Sequence, residues 1–293
     1  MKAAAFSYAR ATSITDALQL LAHHGDDAKV LSGGQSLMPA LNMRLSKPAI
    51  LIDIGRLSEL RGIAVAIDKV TIGALTRHVD LLGSREIADR LPLLREATAH
   101  VAHPAIRNRG TIGGNLAHAD PASELPACML ALDATLVIRG VAHERRVAAR
   151  DFFQGIYETV IAADELLTAV EIPLPAPDAR AFFHEYARRS GDYALVGLAA
   201  MARSEKGRLS ELRLGYFAVG DRPQLVRAAA RLVGVEVTPA LVAAAKADLM
   251  TELDPASDQQ GSAAMRRHLA GLLLETCVAT VLDRPDLAPE RAA

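Results

Sequence analysis

Two short segments with paired glycines have the residue types best suited to bind an anionic ligand. Each follows an extended stretch and places a side-chain amide beside its glycines: Ser32-Gly33-Gly34-Gln35-Ser36 and Thr111-Ile112-Gly113-Gly114-Asn115. Paired glycines let a ligand approach the backbone closely, and successive N–H groups in such turns bind anions. Neither segment contains Lys or Arg, so backbone amides are the expected donors. Two such loops suit the two phosphates of a dinucleotide; the alternative is that each pair only forms a tight turn.

The common sequence patterns of nucleotide-binding and hydrolytic enzymes are absent. The chain contains neither G-x-G-x-x-G nor G-x-x-x-x-G-K-[ST], which disfavours a Rossmann domain and a P-loop. Gly34-Gln35-Ser36-Leu37-Met38 lacks the second glycine of G-x-S-x-G, so a hydrolase nucleophile elbow is not supported either.

Several polar residues lie close to the second glycine pair. His100, His103, His118 and Asp120 have ligand types that suit a divalent metal, but their irregular spacing favours surface or hydrogen-bonding roles. No metal site is therefore predicted.

Each of three charged residues in the same region has two possible roles. Arg107 and Arg109 could steer an anionic ligand or could be simple surface or interface charges. Glu124 belongs to the first turn of a predicted helix, where the helix dipole favours an acid, and ribose binding is the competing interpretation.

The composition describes a folded protein without a nucleic-acid or membrane signature. The chain has 293 residues, of which 51% are apolar and 23% charged, and its 33 basic residues nearly balance 34 acidic ones. This length allows about two domains, and the charge balance disfavours nucleic-acid binding. The longest apolar stretches, Tyr193–Ala202 and Leu269–Leu282, are shorter than the ~20 residues of a membrane span. Because no secretory pattern follows Lys2, we expect a cytoplasmic protein.

Apolar periodicity predicts alternating helices and strands that could position these loops. The predicted helices are Ser13–His24, Leu37–Arg44, a helix capped by Thr76 and entered through His78, Leu91–His100, Ala122–Leu132, Thr238–Glu252 and Ser262–Leu282. The predicted strands are Lys29–Leu31, Ile50–Ile54, Val70–Ile72, Thr135–Ile138, Val147–Ala149, Leu166–Ile172, Phe182–Ala187, Tyr193–Arg203 and Leu209–Val219. Pro104–Pro121 is predicted to be irregular, and the proline-rich Pro173–Asp178 is the candidate domain boundary.

Four segments resemble the flavoprotein subunits of the molybdenum hydroxylases. Val30–Leu37, followed by Leu41–Leu45 and Pro48, is similar to the first FAD loop of that family. His103–Pro121 resembles the second FAD loop almost residue for residue. Leu166–Pro173 and Arg188–Leu195 match further landmarks, so the resemblance spans nearly the whole chain.

The resemblance implies an α+β protein of two domains. Residues 1–176 would form a two-lobed FAD-binding domain of the vanillyl-alcohol-oxidase type. Residues 177–285 would form a smaller α+β domain with an antiparallel sheet, and residues 286–293 are expected to be a frayed tail.

The resemblance also implies which residues bind the cofactor. These are Leu31, Ser32, Gly33, Gly34, Gln35, Ser36, Leu37, Ala102, Thr111, Ile112, Gly113, Gly114, Asn115, Glu124, Leu167, Glu185 and Tyr193. The two loops would bracket the pyrophosphate through backbone amides, and Ala102 and Glu124 would lie on the adenosine side. Leu167 would pack near the flavin and Tyr193 beside the isoalloxazine, although periodicity alone favours ordinary core positions for both. Glu185 stands where many relatives carry Lys, and an acid there would disfavour an anionic reduced flavin.

The function implied by the resemblance is electron transfer. Such a subunit takes electrons from 2Fe-2S clusters of a small partner subunit and passes them through FAD to an external acceptor. A large partner subunit holds the molybdenum cofactor and oxidises the substrate. The expected assembly is a dimer of heterotrimers. With only Cys128 and Cys277, the chain lacks the roughly four cysteines of an iron–sulfur cluster. The alternatives are a stand-alone flavin oxidoreductase on the same fold and a non-catalytic assembly subunit without flavin. No catalytic residue is assigned to this chain, and the substrate and acceptor stay open.

Overall fold

The computed structural model describes residues 2–289 and begins with a small parallel sheet. The elements of this first lobe are β1 (Ser7–Arg10), α1 (Ile14–His24), β2 (Ala28–Leu31), α2 (Leu37–Asn42) and β3 (Ile50–Asp53). The strand order is β1-β3-β2, and both pairings are parallel. The predicted βαβ unit is confirmed in β2, α2 and β3. Its first glycine loop follows the carboxyl end of β2, the edge at which ligands bind in parallel sheets.

The second lobe is built on a five-stranded antiparallel sheet. Its strands are β4 (Ile63–Val65), β5 (Lys69–Gly73), β6 (Thr135–Arg139), β7 (Glu144–Ala148) and β10 (Leu166–Pro173), in the order β4-β5-β10-β6-β7. A separate hairpin contains β8 (Phe153–Gly155) and β9 (Glu158–Thr159). The helices are α3 (His78–Gly83), α4 (Arg85–Arg90), α5 (Pro92–His100), α6 (Pro104–Arg107), α7 (Ile112–His118), α8 (Glu124–Ala131) and α9 (Ala149–Phe152).

Two predictions about this lobe are wrong. The segment Pro104–Pro121 is not irregular throughout, because it contains α6 and α7. Pro104 occupies the first turn of α6, where its missing N–H has no cost. The cap of α3 is Arg77 rather than Thr76, whose hydroxyl instead donates to the carbonyl of Gly62 at 3.1 Å.

The C-terminal part is a four-stranded antiparallel sheet covered by two long helices. It comprises β11 (Arg180–Ala187), β12 (Ala194–Glu205), β13 (Arg208–Phe217), β14 (Gln224–Leu225), α10 (Pro239–Glu252) and α11 (Ala263–Leu282). The Tyr216 hydroxyl donates to the Ala270 carbonyl at 2.9 Å, which joins the sheet to α11. A short 3-10 turn, Pro285–Leu287, places Leu287 in the core. The last four residues of the predicted tail lie outside the described part.

The C-terminal sheet packs directly on α8 of the second lobe. A methyl group on Gly215 of β13 would come within 2.5 Å of the Ala127 carbonyl oxygen in α8. Phe183 of β11 stacks on Phe217 at 5.9 Å in the same core. Side chains of β11 and of the β11–β12 loop therefore meet α5 and the start of α8. No helix among residues 2–289 has the length and apolar character that crossing a membrane requires.

Candidate cofactor-binding site

The first glycine loop presents a run of unpaired backbone amides. Within residues 2–289, no acceptor is hydrogen-bonded to the N–H groups of Gly33, Gly34, Gln35 or Ser36. Gly34 has φ +73°, a conformation that glycine adopts without strain. The Gln35 side chain folds back and donates to the Gly33 carbonyl at 3.0 Å, which leaves its own backbone N–H open. Such a run of N–H groups has the chemistry of an anion site.

The two glycine loops touch each other. A methyl group on Gly33 would lie 2.3 Å from the Arg109 carbonyl oxygen and 2.9 Å from Gly110 Cα. The hydroxyl groups of Ser32 and Thr111 are 2.7 Å apart, and the Thr111 hydroxyl also accepts the Gly114 N–H at 3.1 Å. Glycine is therefore required at position 33 by the close approach of the second loop.

The second loop differs from the first because its amides are already paired. Ile112 N–H donates to the Thr76 carbonyl at 3.0 Å, and Gly113 N–H donates to the Ala74 carbonyl at 2.8 Å. Gly113 also packs so tightly that a methyl group on it would be 2.4 Å from Ala74 Cβ. The expectation that both loops bind through amides in the same way is not supported by this geometry. The second loop offers hydroxyl groups and a rigid backing for the first.

The segment that backs the second loop was missed by the sequence reasoning. Ala74 and Thr76 supply the carbonyl acceptors, and His78 donates its backbone N–H to the Gly110 carbonyl at 3.0 Å. The His78 ring is 3% exposed, and burial lowers its pKa to about 4. No local pattern reveals this pairing, because the two segments are more than thirty residues apart in sequence.

The two arginines near the second loop have different roles. The Arg107 guanidinium donates to the carbonyl groups of Ala99, Val101 and Ala102 at 2.8 to 3.2 Å, so it caps the C-terminal end of α5. Arg109 is exposed, and it is its backbone carbonyl that contacts Gly33. The Arg107 guanidinium therefore stabilises the fold and does not point towards an anionic ligand.

The histidines of this region do not come together. Each histidine has a different neighbour. His100 is hydrogen-bonded to Glu185, His103 lies against Gly191, and His118 stacks on Tyr157. Among the described residues, no group of three or more His, Cys, Asp or Glu side chains is arranged to hold a metal.

Ala102 and Glu124 of the second lobe form one cluster with Glu185 and Tyr193 of the C-terminal part. A methyl group on Gly191, two residues before Tyr193, would lie 3.1 Å from the Ala102 carbonyl oxygen. Burial and then the charge of Glu185 raise the pKa of Glu124, and burial together with nearby acids, Glu124 among them, raises the pKa of Tyr193. The sequence had divided these residues between the adenosine and flavin sides. That division stays a prediction.

The members of this cluster differ in exposure. Tyr193 is 64% exposed and is not a core residue, whereas Leu167 is 4% exposed and pairs with Ile138 inside the sheet. Glu124 is 9% exposed, and burial, followed by the nearby Glu185 carboxylate, raises its pKa to about 7. Leu167 thus has a core environment on its strand, while Tyr193 is free to contact a ligand.

A short link connects this cluster to the second loop. The Asn115 side-chain amide donates to the Ser123 hydroxyl at 2.8 Å, and Ser123 immediately precedes Glu124. The Asp120 carboxylate accepts the Ala122 N–H at 2.9 Å and holds the same turn. One rigid segment therefore carries both the loop and the acid.

These residues fit a flavin dinucleotide. The open amides at Gly33–Ser36 suit its phosphates, and the Ser32 and Thr111 hydroxyls lie beside them. The exposed ring of Tyr193 offers a face to an aromatic group. The buried Glu185 Oε2, which has no partner within residues 2–289, would accept a hydrogen bond from a donor.

Comparison with protein families decides between the possible cofactors. Residues 4–175 match the family described as "FAD binding domain in molybdopterin dehydrogenase". Residues 181–281 match the "CO dehydrogenase flavoprotein C-terminal domain". The chain belongs to the flavoprotein subunits of the molybdenum hydroxylases. It is therefore an FAD-binding oxidoreductase subunit, and the predicted family and cofactor are confirmed.

Relatives of known name match almost the full length. The chain is 40% identical to subunit alpha of the 6-hydroxypseudooxynicotine dehydrogenase complex of Paenarthrobacter nicotinovorans, over 97% of both chains. It is 40% identical to the carbon monoxide dehydrogenase medium chain of Afipia carboxidovorans, over 93% of this chain and 95% of that one. The reconstituted CO dehydrogenase from Oligotropha carboxidovorans superposes with a TM-score of 0.94 at 37% identity, covering 97% and 100% of the two chains. The predicted two-part α+β fold is confirmed.

Proposed function

We propose that this subunit receives electrons from 2Fe-2S clusters of a partner and passes them through FAD to an external acceptor. The observation that carries the proposal is the run of open amides at Gly33–Ser36, held against the second loop in a chain of this family. Bound FAD supplies the redox chemistry, since it accepts and releases electrons, and the protein supplies binding and orientation.

The roles of the chain's own residues follow from the site. The N–H groups of Gly33 to Ser36 donate to phosphate oxygens, and the absence of a side chain at Gly33 allows the loops to close. The Ser32 and Thr111 hydroxyls bind the same anionic centre. Ala102 and Glu124 would lie on the adenosine side of the cofactor, and Tyr193 would lie beside its isoalloxazine. Leu167 of β10 would pack near the flavin.

The partners are inferred from the chemistry that this chain does not carry. Both cysteines, Cys128 and Cys277, are buried, and burial raises the pKa of each thiol. We therefore assign the iron–sulfur clusters to a small partner and the molybdenum cofactor to a large one, in a dimer of heterotrimers. The cytoplasmic location stays a prediction. The named relatives oxidise chemically different substrates, which agrees with substrate choice by another subunit.

The proposal is tested first on the purified chain and then on its complex. Flavin bands in the visible spectrum, with FAD in the released fraction, are expected. In the complex, chemical reduction of the clusters should be followed by bleaching of the flavin bands. A chain that is colourless and does not bind added FAD would favour an assembly subunit. A chain that oxidises a substrate without partners would favour the stand-alone oxidoreductase.

A further inference from the structure

We propose that Arg188, Asp258 and Arg266 are positioning residues for Tyr193. Together they form a brace that holds the β11–β12 loop, residues 188–193, in one arrangement, and Tyr193 is the last residue of that loop. The proposal rests on the proposed function, in which the Tyr193 ring lies beside the isoalloxazine of FAD. The three residues of the brace act through the backbone that carries the tyrosine and need no contact with the cofactor.

The β11–β12 loop has little support of its own. The pairing of the two strands ends at Ala187 and Ala194, so the six residues between them lie outside the ladder. Within the described part of the chain, the one backbone hydrogen bond inside the loop joins the Asp192 N–H to the Arg189 carbonyl at 3.1 Å. Tyr193 is 64% exposed, so core packing does not fix its ring. Contacts from outside the loop therefore set its conformation.

Arg266 of α11 joins the start of β12 to two other segments. Its guanidinium donates to the Leu195 carbonyl at 2.5 Å and to the Asp258 carboxylate at 2.8 Å. A longer contact of 3.4 Å reaches the carbonyl of Ala218, which follows β13. Because Leu195 is two residues after Tyr193, the first of these bonds fixes the backbone next to the tyrosine.

The connection between α10 and α11 completes the brace. Asp258 Oδ2 accepts the bond from Arg266, and Asp258 Oδ1 accepts the N–H groups of Gln260 and Gly261 at 2.8 and 3.0 Å. The Gln260 carbonyl accepts a hydrogen bond from the Arg188 guanidinium at 2.8 Å. Arg188 thus bonds this turn from the first residue of the loop, and Arg266 links the same turn to the start of β12.

The burial of Arg266 agrees with a role in positioning. Its side chain is 8% exposed, whereas that of its partner Asp258 is 52% exposed. Arg266 Nε is buried and has no hydrogen-bond partner within residues 2–289. A guanidinium buried in this way contributes little net stability compared with an apolar side chain, so the fixing of one backbone arrangement is the better account of it.

The loop also packs against the second lobe. Gly191 has φ +87°, and a methyl group on it would lie 2.3 Å from His103 Cε1 and 3.1 Å from the Ala102 carbonyl oxygen. The loop is therefore held between the brace and the lobe that carries the second glycine loop. When the brace is broken, the contact at Gly191 remains, and Tyr193, two residues further on, becomes free to move relative to the flavin.

The first test measures hydrogen exchange in the full chain without added cofactor. In Asp258→Ala, the peptide over residues 188–195 should exchange faster than in wild type by about tenfold or more, because Arg266 loses a charge-assisted hydrogen bond. Asp254→Ala is the matched control, since Asp254 pairs at 3.3 Å with Arg267, the next residue of α11. Exchange of the same peptide should keep its wild-type rate in the control.

Arg188→Ala is an independent variant for the same measurement. The Arg188 side chain is exposed, so its removal leaves the core intact even where Asp258→Ala does not fold. Loss of its bond to the Gln260 carbonyl should raise exchange over the same peptide. Exchange at the wild-type rate in Arg188→Ala, or equal acceleration in the Asp254→Ala control, overturns the proposal.

The second test uses the FAD-loaded protein and reports the position of the tyrosine, which a purely structural role of the brace would leave unchanged. A phenol beside the isoalloxazine quenches flavin emission by electron transfer, so Tyr193→Phe should lengthen the flavin fluorescence lifetime. Asp258→Ala and Arg188→Ala should lengthen it as well, and neither should lengthen it further in the Tyr193→Phe background. A wild-type lifetime in both brace variants, or a lengthening that adds to that of Tyr193→Phe, overturns the proposal.

The outcomes separate this proposal from the proposed function. If FAD is bound and Tyr193→Phe leaves the lifetime unchanged, the tyrosine does not lie beside the flavin, so the positioning role fails while FAD binding stands. If the wild-type protein binds no FAD, the proposed function fails and the positioning role fails with it, whatever the exchange rates are.

Discussion

Replacing Gly33 by alanine tests the contact between the two glycine loops. The new methyl group would meet the Arg109 carbonyl oxygen at 2.3 Å and its carbon at 3.0 Å. Both are backbone atoms, so no flexible side chain can move aside. Because φ at Gly33 is not in the left-handed region, the added atom and not the backbone angle is the cause of any effect.

The magnitude follows from the two interactions that the substitution disturbs. Overpacking of this kind costs about 1 to 3 kcal/mol. Separation of the loops also weakens the 2.7 Å contact between the Ser32 and Thr111 hydroxyls, a loss of about 1 kcal/mol. The combined cost of about 2 to 4 kcal/mol is an expected loss in the free energy of unfolding, and FAD binding, which uses the closed loops, is expected to weaken by at most about 1000-fold.

The assay is titration of the apoprotein with FAD, followed by flavin fluorescence, together with the free energy of unfolding. Gly83→Ala is the matched control, because Gly83 has no atom within 4 Å of its added methyl group. Its FAD affinity should stay within about twofold of wild type. Wild-type affinity and stability in Gly33→Ala would refute the close packing of the loops.

Three further predictions concern the framework around the site. Gly113→Ala should lower the free energy of unfolding by about 1 to 3 kcal/mol in urea, and Ala74→Gly should not rescue it, because the Ala74 carbonyl oxygen remains 2.7 Å away. Two hydrogen bonds from Arg145 lower the pKa of Glu165 from 4.5 to about 2. The free energy of unfolding should therefore decrease as the pH is lowered from 4.5 to about 2, and this decrease should be smaller in Glu165→Gln. Burial lowers the pKa of His78 from 6.5 to about 4, so the unfolded state takes up the proton first. The midpoint temperature of thermal unfolding should therefore decrease as the pH is lowered from 6.5 to about 4, and this decrease should be smaller in His78→Gln.

Regular periodicity predicted most elements to within a few residues. The strand over Ile50–Ile54 and the helix over Ser13–His24 correspond to β3 and α1, because each buries one apolar face or run in a local core. Pro104–Pro121 was misjudged because α6 and α7 are only four and seven residues long. Helices this short depend on tertiary contacts rather than on local propensity.

The two glycine loops have similar sequences but differ in whether their backbone amides are hydrogen-bonded. Their residue types predicted equivalent amide donors, yet only Gly33–Ser36 keeps its N–H groups open. The difference comes from Ala74 and Thr76, whose carbonyls lie beside one loop only. Which carbonyl groups lie beside a loop depends on how distant segments of the chain fold together, so the residue types of the loop itself do not predict these hydrogen bonds.

Position 185 illustrates the opposite case, in which the sequence raised a question that the structure sharpens. The residue type alone marks an acid where the resemblance implies a Lys, and a single carboxylate would be expected to repel negative charge at the cofactor. The structure places Glu185 Oε1 at 3.2 Å from His100 Nδ1, while Glu185 Oε2 is buried without a partner within residues 2–289. The acid at position 185 therefore contacts an imidazole of the second lobe, and its oxygen can accept a hydrogen bond there, which the ammonium group of a Lys, a donor only, could not do.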